Sequence, residues 1–122
     1  MPPTLANGKV SYIEIPALDI QRSADFYAAV FGWKIGKRAD GSTSFDDPTG
    51  EVRGTWVAGR PATSAPGLLI FITVNDMAAT FDSVIRNGGE VLQPIDVDTA
   101  ELIGRFRDPA GNVIGLFQQP GQ

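Results

Sequence analysis

The sequence contains neither cysteine nor histidine among its 122 residues. Without cysteine there is no disulfide and no thiol chemistry, and without histidine the commonest transition-metal ligand and the commonest general base are both absent. Positive charge is also scarce, because 10 lysines and arginines face 14 acidic residues and leave a net charge of −4. An acidic chain of this kind is a poor partner for nucleic acid, so we expect no nucleic-acid function.

Long apolar runs are missing as well. The opening residues MPPTLANG have no basic segment followed by an apolar stretch. No run elsewhere approaches the roughly 20 residues of a membrane-spanning helix. We therefore expect a cytoplasmic protein without a membrane partner. The composition that remains, 43% hydrophobic and 20% charged residues, is typical of one globular domain.

The first half of the chain, about residues 8–59, has the pattern of a βαβββ module. Residues 9–16 alternate as in a strand, and the pattern predicts that both faces of this strand are buried. Asp19 then offers an N-cap for an amphipathic helix that Gly32 ends. Three short strands follow, separated by the turn sequences ADG and DPTG, at 33–37, 42–46 and 52–58.

The second half repeats this order. Residues 60–66, RPATSAP, are polar and proline-rich and are predicted to form a surface linker to a second module, about 67–118. There, a β-forming run at 68–74 precedes a helix that Asp76 caps and that NGG ends. Three strands are predicted after it, at 90–93, 102–107 and 112–118.

Fixed offsets between the halves indicate a duplication. Asp19 and Asp76 are 57 positions apart, as are Gly32 and Gly89. In the closing hairpins, DPTGEVRG at 47–54 and DPAGNVIG at 108–115 are 61 positions apart and identical in five of eight columns. The change from 57 to 61 fits one longer loop in the second module.

Two segments carry a family resemblance. YIEIPALDIQRSADFYAAVFGWKI at 12–35 and RDPAGNVIGLFQ at 107–118 resemble the opening and closing motifs of the vicinal oxygen chelate superfamily, which includes glyoxalase I, extradiol dioxygenases and bleomycin resistance proteins. The resemblance implies an α+β fold of two pseudo-symmetric βαβββ modules, whose curled mixed sheets enclose a cleft. It also implies a homodimer and a small-molecule ligand.

Metal-binding members of this superfamily place four side chains in that cleft. The resemblance puts the opening histidine position on Tyr12, its counterpart in the second module on Leu69, and the two closing-strand glutamates on Gly54 and Gly115. None of these residues is a usual ligand for Mg²⁺, Mn²⁺ or Zn²⁺. We therefore expect a lost metal site, no metal and no cofactor.

The repeated glycines have two interpretations. Gly54 and Gly115 either allow close packing of neighbouring strands, or leave room for a ligand on the cleft floor. In the second case Trp56 and Phe117, two residues farther along each strand, lie on the same face as the glycines and form an aromatic binding surface. The predicted ligand-binding residues are Tyr12, Glu14, Gly54, Trp56, Leu69, Phe71, Gly115 and Phe117.

Glu14 shares a strand face with Tyr12, and these two are the candidate catalytic residues. In a partly apolar cavity Glu14 would act as a general base. Alternatively, it forms an ion pair with an arginine, for which the sequence offers three candidates in the neighbouring strands. These are Arg53, Arg105 and Arg107.

Three classes of function therefore follow from the sequence. The first is a metal-free protein that binds a small molecule in its cleft, as bleomycin resistance proteins do. The second is a metal-independent isomerase, lyase or hydrolase-like enzyme, with Glu14 as base and Tyr12 or an arginine stabilising an oxyanion. The third is a structural subunit with a filled cleft. The absent ligands favour the first class.

Overall fold

A computed structural model describes residues 4–93 and 102–118 of the chain. The chain divides between Pro61 and Ala62 into two compact units, each with one helix and a four-stranded mixed sheet. The first unit contains β1 Tyr12–Pro16, α1 Ile20–Phe31, β2 Lys34–Lys37, β3 Thr43–Asp46 and β4 Arg53–Val57. The second contains β5 Phe71–Thr73, α2 Met77–Arg86, β6 Glu90–Gln93, β7 Leu102–Arg107 and β8 Val113–Gln118. The predicted α+β class with two βαβββ modules is confirmed.

Both sheets have the same strand order. The first unit has the order β1-β4-β3-β2 and the second β5-β8-β7-β6. The opening strand of each unit pairs in parallel with the closing strand, and the remaining pairs are antiparallel. The helix supplies the crossover that joins the opening strand to the far edge of the sheet.

The predicted helix ends are confirmed at three positions. Asp19 caps α1 by accepting a hydrogen bond from the Arg22 N–H at 3.2 Å, and Asp76 caps α2 by accepting from the Ala79 N–H at 3.0 Å. Gly32 ends α1 in the left-handed conformation, with φ of 73°. Neither helix in the described part of the chain is long and apolar enough to cross a membrane.

An aromatic core joins α1 to its sheet. The Trp33 ring is stacked between Tyr27, with 4.6 Å between ring centroids, and Phe45, with 4.5 Å. Trp56 of β4 packs against Phe45 at 4.9 Å and against Tyr27 at 5.9 Å. Because Tyr27 belongs to α1, these contacts place Trp56 and Phe45 on the face of the sheet that the helix covers.

The core of the second unit is mostly aliphatic, with one buried aromatic ring, Phe106, among the described residues. Met77 and Val84 of α2 are fully buried, as are Phe106 of β7 and Leu116 of β8. Phe106 is the cross-strand partner of Ile114, which shares a face with Leu116. This face of the second sheet therefore packs under α2.

One local prediction is wrong. The first strand is not buried on both faces: Ile15 is buried, whereas Tyr12 and Glu14 are exposed because they lie on the face away from α1. The 60–66 segment, predicted to be a surface linker, makes hydrogen bonds to the second unit. Its Thr63 N–H donates to the Asn112 Oδ1 at 2.9 Å, and its carbonyl accepts from the Val113 N–H at 2.8 Å. The segment is therefore tied to the second unit.

The turn carboxylate Asp47 gives a pH-dependent prediction. Partial burial alone raises the pKa of Asp47, but the Val52 N–H, the Thr49 hydroxyl and the Glu51 N–H donate to the carboxylate and hold its pKa below the ordinary value of 3.8. A lowered folded-state pKa contributes stability that is present above the unfolded-state pKa and is lost as the pH falls through the folded-state pKa.

We therefore expect Asp47→Asn to lower the unfolding free energy by a constant amount above about pH 5, and by progressively less below about pH 4. Urea unfolding at a series of pH values measures this difference. Asp82→Asn is the matched control, since Asp82 is exposed on α2 and makes no hydrogen bond or ion pair within the described ranges. A deficit of Asp47→Asn that grows as the pH falls contradicts the assignment.

Candidate functional site

The two closing hairpins begin with the same turn. The Gly50 N–H donates to the Asp47 carbonyl at 2.9 Å, and the Gly111 N–H donates to the Asp108 carbonyl at 2.9 Å. The bonds that close the loops differ. The backbone N–H of Asp47 donates to the Val52 carbonyl, whereas the backbone N–H of Asp108 donates to the Asn112 carbonyl. The first loop therefore holds one more residue before its strand begins.

The residue that follows the turn glycine explains this difference. In the second hairpin it is Asn112, whose side chain is 1% exposed and donates to the Asp108 Oδ2 at 2.9 Å. In the first hairpin it is Glu51, whose carboxylate would repel Asp47 in the same place. Glu51 instead turns outward and forms an ion pair with Lys9 at 3.3 Å. The loop of the first hairpin therefore contains one more residue before β4 begins.

The extra residue shifts β4 by one position. Gly54 is the cross-strand partner of Phe45 and Ile13, whereas Gly115 is the partner of Arg105 and Phe71. If the two units had the same register, Gly54 would pair with the residues that correspond to Phe71 and Arg105. These are residue 14, which is 57 positions before Phe71, and residue 44, which is 61 positions before Arg105. A one-residue shift turns every side chain of a strand to the opposite face. The two repeated glycines are therefore not equivalent.

Gly54 faces α1 and is closely packed. A Cβ atom at this position would lie 2.0 Å from the Ile13 carbonyl oxygen and 2.4 Å from the Phe45 ring. Trp56 lies on the same face, as alternation predicts, but it is 2% exposed in the aromatic core. The prediction that Gly54 and Trp56 line an open floor is corrected: both are core positions.

Gly115 faces away from α2. A Cβ atom here would lie 2.6 Å from the Phe71 ring, so this ring occupies the space over the glycine. Phe71 is itself 46% exposed, and Phe117, opposite Thr73, is partly exposed on the same face. Leu69, just before β5, is also partly exposed. The structure thus brings Phe71, Gly115 and Phe117 together on one accessible face.

Tyr12 and Glu14 lie on the face of the first sheet that points away from α1, and each contacts an arginine. Arg38 donates from Nη1 to the Tyr12 hydroxyl at 3.0 Å, and Arg60 pairs with the Glu14 carboxylate at 2.8 Å. Arg38 follows β2, at the opposite sheet edge from Tyr12. The edges of a four-stranded sheet are about 14 Å apart, a distance that a tyrosine and an arginine side chain span together.

Sequence reasoning missed both arginines. An ion pair of Glu14 was predicted as the alternative to catalysis, but with a strand arginine, whereas Arg60 comes from the segment predicted to be a linker. Arg53 instead pairs with Asp46 at 3.0 Å. No sequence signal links Tyr12 with Arg38, because Arg38 lies in the turn after β2, where strand periodicity gives no information.

The positions that correspond to the superfamily's metal ligands do not fit a metal. Gly54 faces α1, and the outward-facing residues beside it on β4 are Arg53 and Thr55, neither of them a usual metal ligand. In the second unit the Phe71 ring covers Gly115, and Leu69 has no donor atom. The fourth position, Tyr12, offers one phenol that already accepts from Arg38. Within residues 4–93 and 102–118, no three His, Cys, Asp or Glu side chains come together as a potential metal site.

Comparison with known proteins places this geometry in a family. The family model described as the glyoxalase/bleomycin resistance protein/dioxygenase superfamily matches residues 9–116. A glyoxylase-like domain-containing protein of Didymella fabae is 30% identical over 126 residues, which cover 95% of this chain and 98% of that protein.

Solved structures agree on the fold. A glyoxalase/bleomycin resistance protein from Albidiferax ferrireducens superposes with a TM-score of 0.72 at 21% sequence identity. The alignment covers 90% of this chain and 98% of the chain of that protein. TnmS3, an antibiotic binding protein from a Streptomyces species, gives a TM-score of 0.69 at 24% sequence identity. The alignment covers 95% of this chain and 99% of the TnmS3 chain.

Proposed function

We propose that this chain, which belongs to the glyoxalase/bleomycin resistance protein/dioxygenase superfamily, binds a small molecule without the help of a metal ion. The observation that carries this proposal is the chemistry of the four positions where metal-binding members have ligands. Gly115 and Leu69 have no donor atom, and the Tyr12 phenol is hydrogen-bonded to Arg38. On β4, where Gly54 faces α1, the outward-facing residues are Arg53, which is paired with Asp46, and Thr55, whose hydroxyl donates to the Thr43 carbonyl. Zinc, magnesium and manganese sites need several donor atoms.

The proposed ligand-binding face of the second unit is aromatic. Phe71 and Phe117 are accessible beside the side-chain-free Gly115, and Leu69 precedes them. Accessible rings of this kind stack on planar or apolar ligands. The antibiotic-binding function of TnmS3 supports a similar role for this chain.

The contacts of Glu14 favour binding over proton transfer. Its carboxylate forms a 2.8 Å ion pair with Arg60, and both side chains are about half exposed. A general base acts best when burial brings its pKa near the working pH and its oxygen is free to take a proton. The metal-independent isomerase or lyase with Glu14 as base therefore remains the second candidate.

Calorimetric screening of aromatic and amphipathic compounds, each in buffer with EDTA and in buffer with added Zn²⁺ and Mn²⁺, tests the proposed function. We expect at least one compound to bind stoichiometrically with the same affinity in both buffers. Binding that EDTA abolishes and metal restores contradicts the metal-free proposal. A compound that is chemically converted, with conversion lost in Glu14→Gln, supports the enzymatic alternative instead.

Exposed ion pairs contribute little to stability, which gives a prediction for Glu14. We expect Glu14→Gln to change the unfolding free energy by less than about 1 kcal/mol. Glu90→Gln is the matched control, since Glu90 forms a similarly exposed 2.7 Å pair with Arg107 in the second unit. Urea unfolding at pH 7 measures both. A loss above about 2 kcal/mol for Glu14→Gln alone would mean that this pair is structurally essential.

A further inference from the structure

We propose that a groove beside Arg105 in the second unit binds the carboxylate of a small acid with an apolar body. The inference rests on the proposed function, for which it names the ligand class. The groove has a volume of about 450 Å³, within the usual range for small-molecule sites. Its walls are formed by Ser64, Ala65, Pro66, Leu92, Arg105 and Val113.

Among the lining residues that the structure describes, Arg105 alone carries a charge. Its side chain makes no hydrogen bond or ion pair with any residue in the described ranges. The other strand arginines differ, because Arg53 is paired with Asp46 and Arg107 with Glu90. In a chain with net charge −4, an arginine that pairs with no carboxylate of residues 4–93 and 102–118 is available to a ligand beside the groove.

The cross-strand neighbour of Arg105 on β8 offers it no charged partner. This neighbour is Gly115, which has no side chain, and the ring that lies over the glycine is the apolar Phe71. A guanidinium binds a carboxylate through two parallel N–H donors, a geometry that a planar acid matches well.

The remaining walls determine the rest of the ligand. Ala65, Pro66, Leu92 and Val113 are apolar, and Ser64 adds one hydroxyl. One cation among apolar walls matches a single negative charge on an aryl or alkyl body. The described lining residues include no second cation for a phosphate dianion and no carboxylate for a metal or an amine.

Two probes separate charge recognition from apolar binding. 2-Naphthoate and its neutral counterpart 2-naphthamide have the same ring, and calorimetry at pH 7.5 gives both affinities. We expect the wild-type chain to bind the acid at least about tenfold more tightly than the amide. Arg105→Gln is expected to remove this preference by weakening acid binding and leaving amide binding unchanged.

Two further variants test whether the probes bind in the groove beside Arg105. Arg107→Gln removes a nearby strand arginine outside the groove and is expected to leave both affinities unchanged. Ala65→Trp places a ring at an exposed position of the lining and is expected to block both probes. Thermal unfolding of each variant confirms that it folds.

The outcomes distinguish this inference from the proposed function. Equal acid affinity in the wild-type chain and in Arg105→Gln overturns the carboxylate site. Failure of 2-naphthoate to bind, while other compounds of the calorimetric screen do bind, also overturns the carboxylate site. Neither of these results contradicts the proposed small-molecule binding. If no compound of that screen binds, the proposed function fails, and the ligand class fails with it.

Discussion

Gly54→Ala is expected to lower the unfolding free energy by about 3 kcal/mol or more, because overpacking a core against the backbone is among the costliest single changes. The new methyl group would lie 2.0 Å from the Ile13 carbonyl oxygen, a main-chain atom that moves only if β1 moves with it. The Phe45 ring, on the other side, is stacked on Trp33 and cannot rotate away freely.

Gly115→Ala is the matched control in the duplicated position. Its methyl group would meet only the ring of Phe71, which is 46% exposed and has room to rotate outward. We expect this variant to remain within about 1 kcal/mol of the wild type, since loss of glycine flexibility in the unfolded chain offsets part of the cost. Urea unfolding of both variants measures the difference. Similar losses at the two positions would contradict the one-residue shift of β4.

A second pair of substitutions tests the same shift through aromatic side chains. Trp56→Ala is expected to cost about 3–5 kcal/mol, the usual cost of truncating a fully buried aromatic residue. Trp56 is 2% exposed and contacts Phe45 and Tyr27, so its removal leaves a cavity in the core of the first unit.

Phe117→Ala, at the corresponding position of β8, is expected to cost about 1 kcal/mol, since a partly exposed ring loses only part of the burial energy. Thermal and urea unfolding compare the two variants, with near-ultraviolet circular dichroism reporting the aromatic core. A loss for Phe117→Ala equal to that for Trp56→Ala would place both rings in cores and contradict the face assignment.

Most of the architecture could be predicted from the sequence, because local signals and the repeat agree with each other. Asp19 and Asp76 each accept the predicted capping hydrogen bond, and Gly32 adopts the left-handed conformation that ends a helix. Hydrophobic periodicity and turn residues fix the order of the elements. The offset of 57 positions then requires the second module to repeat the first.

The faces of the closing strands could not be predicted from the repeat, since they depend on one residue in a loop. DPTG and DPAG form the same turn, yet a carboxylate at Glu51 and an amide at Asn112 lead to different loop lengths. An amide can be buried beside Asp108, whereas Glu51 is held outside by the Thr4 N–H and by Lys9, which lower its pKa. Identical glycines therefore end on opposite faces.

The candidate site was predictable only in part for a related reason. Tyr12 and Glu14 lie on the same exposed face, as strand alternation requires. Their partners Arg38 and Arg60 come from residues outside the regular strands, where periodicity gives no information. The groove beside Arg105 likewise depends on how the 64–66 segment lies against the second sheet.

Native mass spectrometry with elemental analysis of the same sample, purified without chelator, tests metal-free binding of a small molecule most directly. We predict that the protein carries an organic molecule, or binds 2-naphthoate when this is added, with divalent metal well below one ion per chain. A divalent metal present at one ion per chain and needed for ligand binding would contradict it.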